Sequence, residues 1–204
     1  LGRPVLFYDQ LGCGRSDVGA DHSVASSLRD LREVLTLVDR HHLFGHSWGG
    51  SLAFEHASRH DGALSLTLSS ATTSIPLVEQ EAGRLFEQAG SLEAFTQEHV
   101  CRVEFPGYEA ALAHAGTTWR GSKAGEGLVA EPSAMRQVSC PALCVRGEDD
   151  FVTDKCVAGW SGLPDVRFVT LQDCGHHPLA ESTDSYLALL DSFLTVHDDD
   201  RPST

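Results

Sequence analysis

The sequence predicts an α/β fold around a mostly parallel, doubly wound sheet, and three observations carry that prediction. Short, nearly continuous apolar runs at residues 4–9, 41–44, 63–68, 141–147 and 166–171 have the character of strands buried in a parallel sheet. Helical patterns separate them, and a strand, helix, strand order implies right-handed crossovers between parallel neighbours. A glycine-flanked serine, Gly45-His46-Ser47-Trp48-Gly49, stands where the second run passes into a helical stretch.

The elements follow in order. Pro4-Val5-Leu6-Phe7-Tyr8-Asp9 reads as a strand, and Gly12, Gly14 and Ser16 break it. From Ser23 onward Val24, Leu28, Leu31, Leu35 and Val38 recur at three- and four-residue steps, with Arg29, Asp30, Arg32 and Glu33 between them. That is an amphipathic helix with Ser23 as its N-cap. Residues 52–60 read as the helix after the serine. Residues 72–137 have a different texture, with helical patterns at 77–89 and 92–102 and then Pro106-Gly107, and they read as a helical cap inserted into the core. The sheet pattern resumes at 141–147 and 166–171, with a helical stretch at 155–163 between them. A last helix covers 183–196, where Tyr186, Leu187, Leu190, Phe193 and Leu194 share one face. The expected organisation is a core in two parts, 1–71 and 138–197, a cap over 72–137, and an acidic flexible tail over 198–204.

Composition narrows the function classes. The 204 residues, 41% apolar and 22% charged, suit one soluble globular domain. Against 15 basic residues stand 29 acidic ones, a net charge of −14, which disfavours a nucleic-acid partner because phosphate binding rests on a Lys/Arg surface. No stretch approaches the roughly 18–20 uninterrupted apolar residues of a membrane span, and no basic-then-apolar leader precedes the first run. A cytoplasmic protein without a membrane partner is expected. Six cysteines lack C-x-x-C spacing and are expected as reduced thiols. The sequence begins at Leu1 and its one methionine is Met135, so the expectation is that a leader was removed or that a longer polypeptide contains this chain.

A G-x-S-x-G between a strand and a helix has a mechanical meaning. The glycines let the chain turn sharply and hold the serine side chain up in a strained elbow. A serine hydroxyl is a poor nucleophile near neutral pH, so it needs a base within hydrogen-bond reach and a carboxylate behind that base. The chain order in folds with this elbow is Ser, acid, His. Two further loops at strand ends supply both partners: Asp149-Asp150 after the run at 141–147, and His176-His177 after the run at 166–171. Asp150 and His176 are the selected pair, with Asp149 and His177 as the alternatives. His56 and His60 stand four apart on a helix, but no acidic third ligand lies near them in sequence, so neither a metal nor a cofactor is expected.

The stretch from Phe7 to Asp17, FYDQLGCGRSD, together with Gly45-His46-Ser47-Trp48-Gly49-Gly50, resembles the proline iminopeptidase family of α/β-hydrolases. The segment from His99 to Pro106 is similar to that family's cap, and Gly147 to Thr153 and Cys174-Gly175-His176 to its acid and histidine loops. The resemblance spans nearly the whole chain, most weakly over the cap. It implies a serine peptidase that removes an N-terminal residue, often proline, or cleaves small amino-acid amides and esters. In it Ser47 attacks the carbonyl, His176 relays the proton, Asp150 holds the imidazole, and the Trp48 backbone N–H is one oxyanion donor. Glu104 is the carboxylate it offers for the substrate's amino group.

Two departures qualify what the resemblance implies. The family carries a His-Gly-Gly-Pro-type loop, source of the second oxyanion donor, before the strand matching Phe7 to Asp9, and this sequence starts too late to contain it. The same segment holds the strand that lies between the run at 4–9 and the strand before Ser47, so either these two pair directly or an edge of unpaired backbone stays open. Phe151 stands where the family often has an acidic residue that helps hold the substrate amine. A carboxylesterase or lactone hydrolase with the same triad therefore remains the rival among enzymes, and a non-catalytic binding protein of this fold the rival outside them. The sequence leaves the oligomeric state open.

Overall fold

The computed structural model describes residues 2–17, 23–104 and 128–198. Four parallel strands, β1 (His41–His46), β2 (Ala63–Ser69), β3 (Ala142–Gly147) and β4 (Val166–Leu171), lie side by side in chain order. Helix α1 (Val24–Leu35) begins at Ser23, whose hydroxyl accepts the Ser26 N–H at 3.2 Å. Helix α2 (Trp48–Ala57) starts directly after Ser47 and links β1 to β2, so it begins four residues earlier than its apolar pattern.

β3 shows why the sheet is covered on both sides. All six of its residues are buried. Successive side chains of a strand point to opposite faces. Ala142 and Cys144 join a core with Leu31, Leu43, Leu52, Phe54, Leu66, Leu68 and Trp160, whereas Leu143 and Val145 meet Tyr186, Leu190, Phe193 and Leu194.

Between β2 and β3 the described chain forms α3 (Ile75–Ala89), α4 (Leu92–Phe95), a π-helical turn (Thr96–Val100) and α5 (Pro132–Met135). The helical pattern of 92–102 thus ends at Val100. The middle of the expected cap, 105–127 with Pro106 and Gly107, lies outside the described residues. Antiparallel contact closes the base of the inserted region, where Ala130 N–H donates to Thr73 C=O at 2.8 Å and Ile75 N–H to Leu128 C=O at 3.0 Å. After β3 come α6 (Asp154–Val157) with a 3₁₀ turn (Ala158–Gly162), then β4, α7 (Pro178–Glu181) and α8 (Thr183–Val196).

One expected strand does not form. Residues 4–9 carry no strand, and Val5, Leu6 and Phe7 are 62%, 52% and 87% exposed. β1 pairs only with β2 among the described strands, so its other edge is left without a ladder. The run at 4–9 has strand-like composition, but a strand exists only where a neighbour takes its N–H and C=O groups. Side chains anchor the segment instead. Tyr8 packs on the core, and Arg3 bonds to Asp191 at 2.8 Å and Thr195 at 2.9 Å of α8 and to Asp198 at 2.5 Å. Asp198, expected in a flexible tail, also meets His42 Nε2 at 3.2 Å and accepts from Arg40 through its carbonyl. Residues 199–204 lie outside the described residues.

Candidate active site

The elbow forms because β1 ends on a crowded turn. Ser47 adopts φ 54° and ψ −123°, a left-handed conformation costly for a residue with a Cβ. Its N–H donates to Ser69 C=O at 2.8 Å and its C=O accepts the Gly50 N–H at 3.0 Å, which hold the turn from β2 and from the first turn of α2. A Cβ on Gly45 would collide with the backbone of Gly49 and Gly50, and one on Gly50 with the Ala71 methyl, whereas Gly49 has open space. The crowded glycines are therefore 45 and 50, one position beyond the G-x-S-x-G pattern.

The acid and histidine loops meet because the end of β3 runs against the loop after β4. A Cβ on Gly147 would strike the carbonyls of Cys174 and Gly175, Glu148 N–H donates to Leu171 C=O at 2.8 Å, and Asp149 N–H donates to Cys174 C=O at 3.0 Å. Arg146, 6% exposed, reaches round the acid loop. Its guanidinium donates to Gly147 C=O at 2.6 Å, to Glu148 C=O at 3.1 Å and to Asp154 Oδ1 at 2.5 and 2.9 Å. Arg146 carries its own signal in the sequence, since an arginine in the middle of an otherwise apolar buried run persists inside only when paired.

These constraints bring Ser47, Asp150 and His176 into one line. His176 Nδ1 lies 2.8 Å from Asp150 Oδ1, and His176 Nε2 lies 3.0 Å from Ser47 Oγ. A carboxylate only accepts, so Nδ1 carries the proton and Nε2 presents its lone pair to the serine hydroxyl. Asp150 is 2% exposed, and its Oδ1 also accepts the Val152 N–H at 2.8 Å. The alternatives lie elsewhere: Asp149 pairs with Arg102 at 2.5 Å on the surface, and His177 packs beside His46 with ring centroids 5.1 Å apart.

His176 sits in an aromatic setting. Phe151 stacks on it with centroids 4.1 Å apart, and His46 lies at 4.9 Å. Burial first, then the neighbouring imidazoles, holds the His46 pKa well below its usual value, and burial brings that of His177 to about 4. Both rings stay neutral near pH 7, and the ring that faces a carboxylate is His176. Trp48 is the first residue of α2, so its backbone N–H lies at the positive end of that helix beside Ser47. Glu104 is exposed, and no hydrogen bond or ion pair among the described residues joins it to the other three. No group of three or more His, Cys, Asp or Glu among the described residues could hold a metal, and the His56 and His60 rings pack on each other at 4.9 Å. No helix among the described residues is long and apolar enough to cross a membrane.

Residues 1–189 match the model of the alpha/beta hydrolase family. The chain belongs to that family. Among α/β-hydrolases it is 30% identical to a proline iminopeptidase of Lactobacillus delbrueckii subsp. lactis, over 97% of this chain and 82% of the relative. It is 29% identical to a proline iminopeptidase of Heyndrickxia coagulans, over 94% of this chain and 81% of the relative. A solved proline iminopeptidase from Mycobacterium smegmatis superimposes with a TM-score of 0.81 at 26% identity, covering 94% of this chain and 79% of that one. Like these α/β-hydrolases the chain is proline iminopeptidase-like.

Proposed function

We propose that this hydrolase works by acyl transfer through Ser47, releasing an N-terminal residue such as proline from small peptides, or cleaving small amino-acid amides and esters. The observation that carries the reading is the continuous contact from Ser47 Oγ through His176 to the buried Asp150 carboxylate. The relatives named proline iminopeptidases supply the substrate class.

Ser47 Oγ bonds to the substrate carbonyl carbon as His176 Nε2 takes the hydroxyl proton. Asp150 keeps the proton on Nδ1 and stabilises the imidazolium, and Phe151 offers that cation an aromatic face. The oxyanion meets the Trp48 N–H at the start of α2. When the tetrahedral adduct collapses, the bond to the leaving amine or alkoxide breaks and that group takes the proton from Nε2. Water then attacks the acyl-enzyme by the same relay, freeing the acid and restoring Ser47.

Phe151 favours a second reading. Its ring is already stacked on His176 and brings no carboxylate there to pair with a substrate ammonium group, a counter-ion that a neutral acyl ester does not need. A fluorophosphonate probe is expected to label Ser47 and to leave Ser47→Ala unlabelled. A proline arylamide and a short acyl ester then separate the two readings. Faster turnover of the arylamide supports the peptidase, faster turnover of the ester replaces it with an esterase, and a folded protein that takes no label defeats both.

A further inference from the structure

His99 is buried, 8% exposed, in the π-helical turn that ends the α4 segment. Such turns break the regular ladder of a helix and recur at functional sites. Its ring and its backbone point to different loops. Nδ1 lies 2.7 Å from the Asp149 carbonyl oxygen, and the His99 carbonyl accepts the His176 N–H at 3.1 Å. The next residue repeats the second contact, with Val100 C=O accepting the His177 N–H at 3.2 Å. A carbonyl only accepts, so Nδ1 of His99 is the protonated nitrogen.

We propose that His99 is a positioning residue for the Ser47, His176 and Asp150 relay. The inference rests on the reading of Ser47 as the nucleophile. The Asp149 carbonyl belongs to the peptide unit that enters Asp150, so the ring of His99 fixes the plane from which the Asp150 carboxylate projects. Its own carbonyl fixes the backbone of His176. One side chain and one peptide group thereby add to the pairing of β3 with β4 in holding the two partners of the 2.8 Å Asp150 to His176 contact in register. Around it Arg102 Nη2 meets the Asp149 carboxylate at 2.5 Å, and Glu181 accepts from Gly175 N–H at 3.0 Å and from Arg102 N–H at 3.3 Å. Residues 99–102 of the inserted region are thus tied to both loops at once.

The test is the rate of fluorophosphonate labelling of Ser47 at one pH, with thermal melts of the same proteins. His99→Phe keeps the ring bulk and loses the donor. It is expected to label at least about tenfold more slowly, on the scale of roughly 100-fold known for misplacement by about 1 Å. His99→Asn puts an amide N–H where Nδ1 stood and is expected to recover most of the rate. If His99→Phe does not fold, His99→Gln takes its place, since its amide sits one atom farther out and misses the Asp149 carbonyl. A folded Phe or Gln variant with the wild-type rate overturns the inference, as does an Asn variant no faster than they are. A wild-type protein that takes no label overturns the serine mechanism and this inference together, whereas the other outcomes leave the serine mechanism standing.

Discussion

The two sides of the sheet contain similar apolar runs with opposite fates. At β3, Ala142–Gly147 is buried at every position between two strands and two helical layers, and the loops it feeds are pinned by Arg146, His99 and the turn after β4. At the other side, residues 4–9 are as apolar as β3 but expose Val5, Leu6 and Phe7, and β1 lacks a second neighbour among the described strands. Strand propensity is a statement about surroundings as much as about residues. The chemistry in our proposal draws Asp150 from the loop after the doubly paired β3, His176 from the loop after its neighbour β4, and Ser47 from the end of β1.

The comparison is most sharply tested at Asp150. Asp150→Asn keeps shape and burial but makes the orienting group able to donate, which favours the wrong tautomer of His176. Turnover is expected to fall by about 10⁴-fold with little change in melting temperature. A loss under about tenfold would show that the packed side does not position the relay.

Leu143→Ala addresses packing. Leu143 is fully buried in β3 against the α8 face. The change is expected to cost about 2–5 kcal/mol in urea-induced unfolding. A cost near zero would mean that β3 is no better packed in solution than residues 4–9.

The side near β1 has buried imidazoles where β3 has aliphatic side chains. Burial, then His60 and His41, brings the His56 pKa to about 4, and burial lowers that of His41 as well. An unfolded histidine titrates near about 6.5, so the unfolded chain binds protons first. The stability they contribute is fully present above about pH 6.5 and is lost as pH falls toward 4. Between pH 7 and 5, above most carboxylate titration, His56 alone is expected to remove about 2 kcal/mol, and His56→Gln to flatten the slope of unfolding free energy against pH by that much. An unchanged slope would mean that water already reaches the His56 ring.

What was legible in the sequence follows the same division. β4 at 166–171 and the last helix at 183–196 have the bounds of their apolar patterns, and Ser23 caps α1, because strand, face and cap are local properties. The choice between Asp149 and Asp150, or between His176 and His177, turns on which neighbour is turned inward, and that depends on the acid loop and the histidine loop meeting through Gly147 and Cys174 and on His99 from a third part of the chain. The demand on Gly50 is set by the Ala71 methyl, 21 residues away, so the pattern around Ser47 pointed to Gly49 instead. The segment at 4–9 misled for the converse reason: its residues suit a strand, and no local feature announces whether a partner stands beside it.

Neighbouring positions in that segment give the smallest and most discriminating test. Phe7 is 87% exposed, whereas Tyr8 packs on the core, where burial pushes its phenol pKa up to about 12. The pair keeps the in-and-out alternation of a strand without the ladder, so one side chain should be nearly irrelevant to folding and the next should not. Phe7→Ser is expected to change unfolding free energy by no more than about 0.5 kcal/mol, the scale of a surface substitution. Tyr8→Ser should cost more by the transfer of a large ring to water, about 1.5–3 kcal/mol if it were fully buried and less for its partial burial. If Phe7→Ser instead costs over about 1 kcal/mol, Phe7 is covered in solution, and the contrast between the two sides of the sheet shrinks to a difference in hydrogen bonding alone.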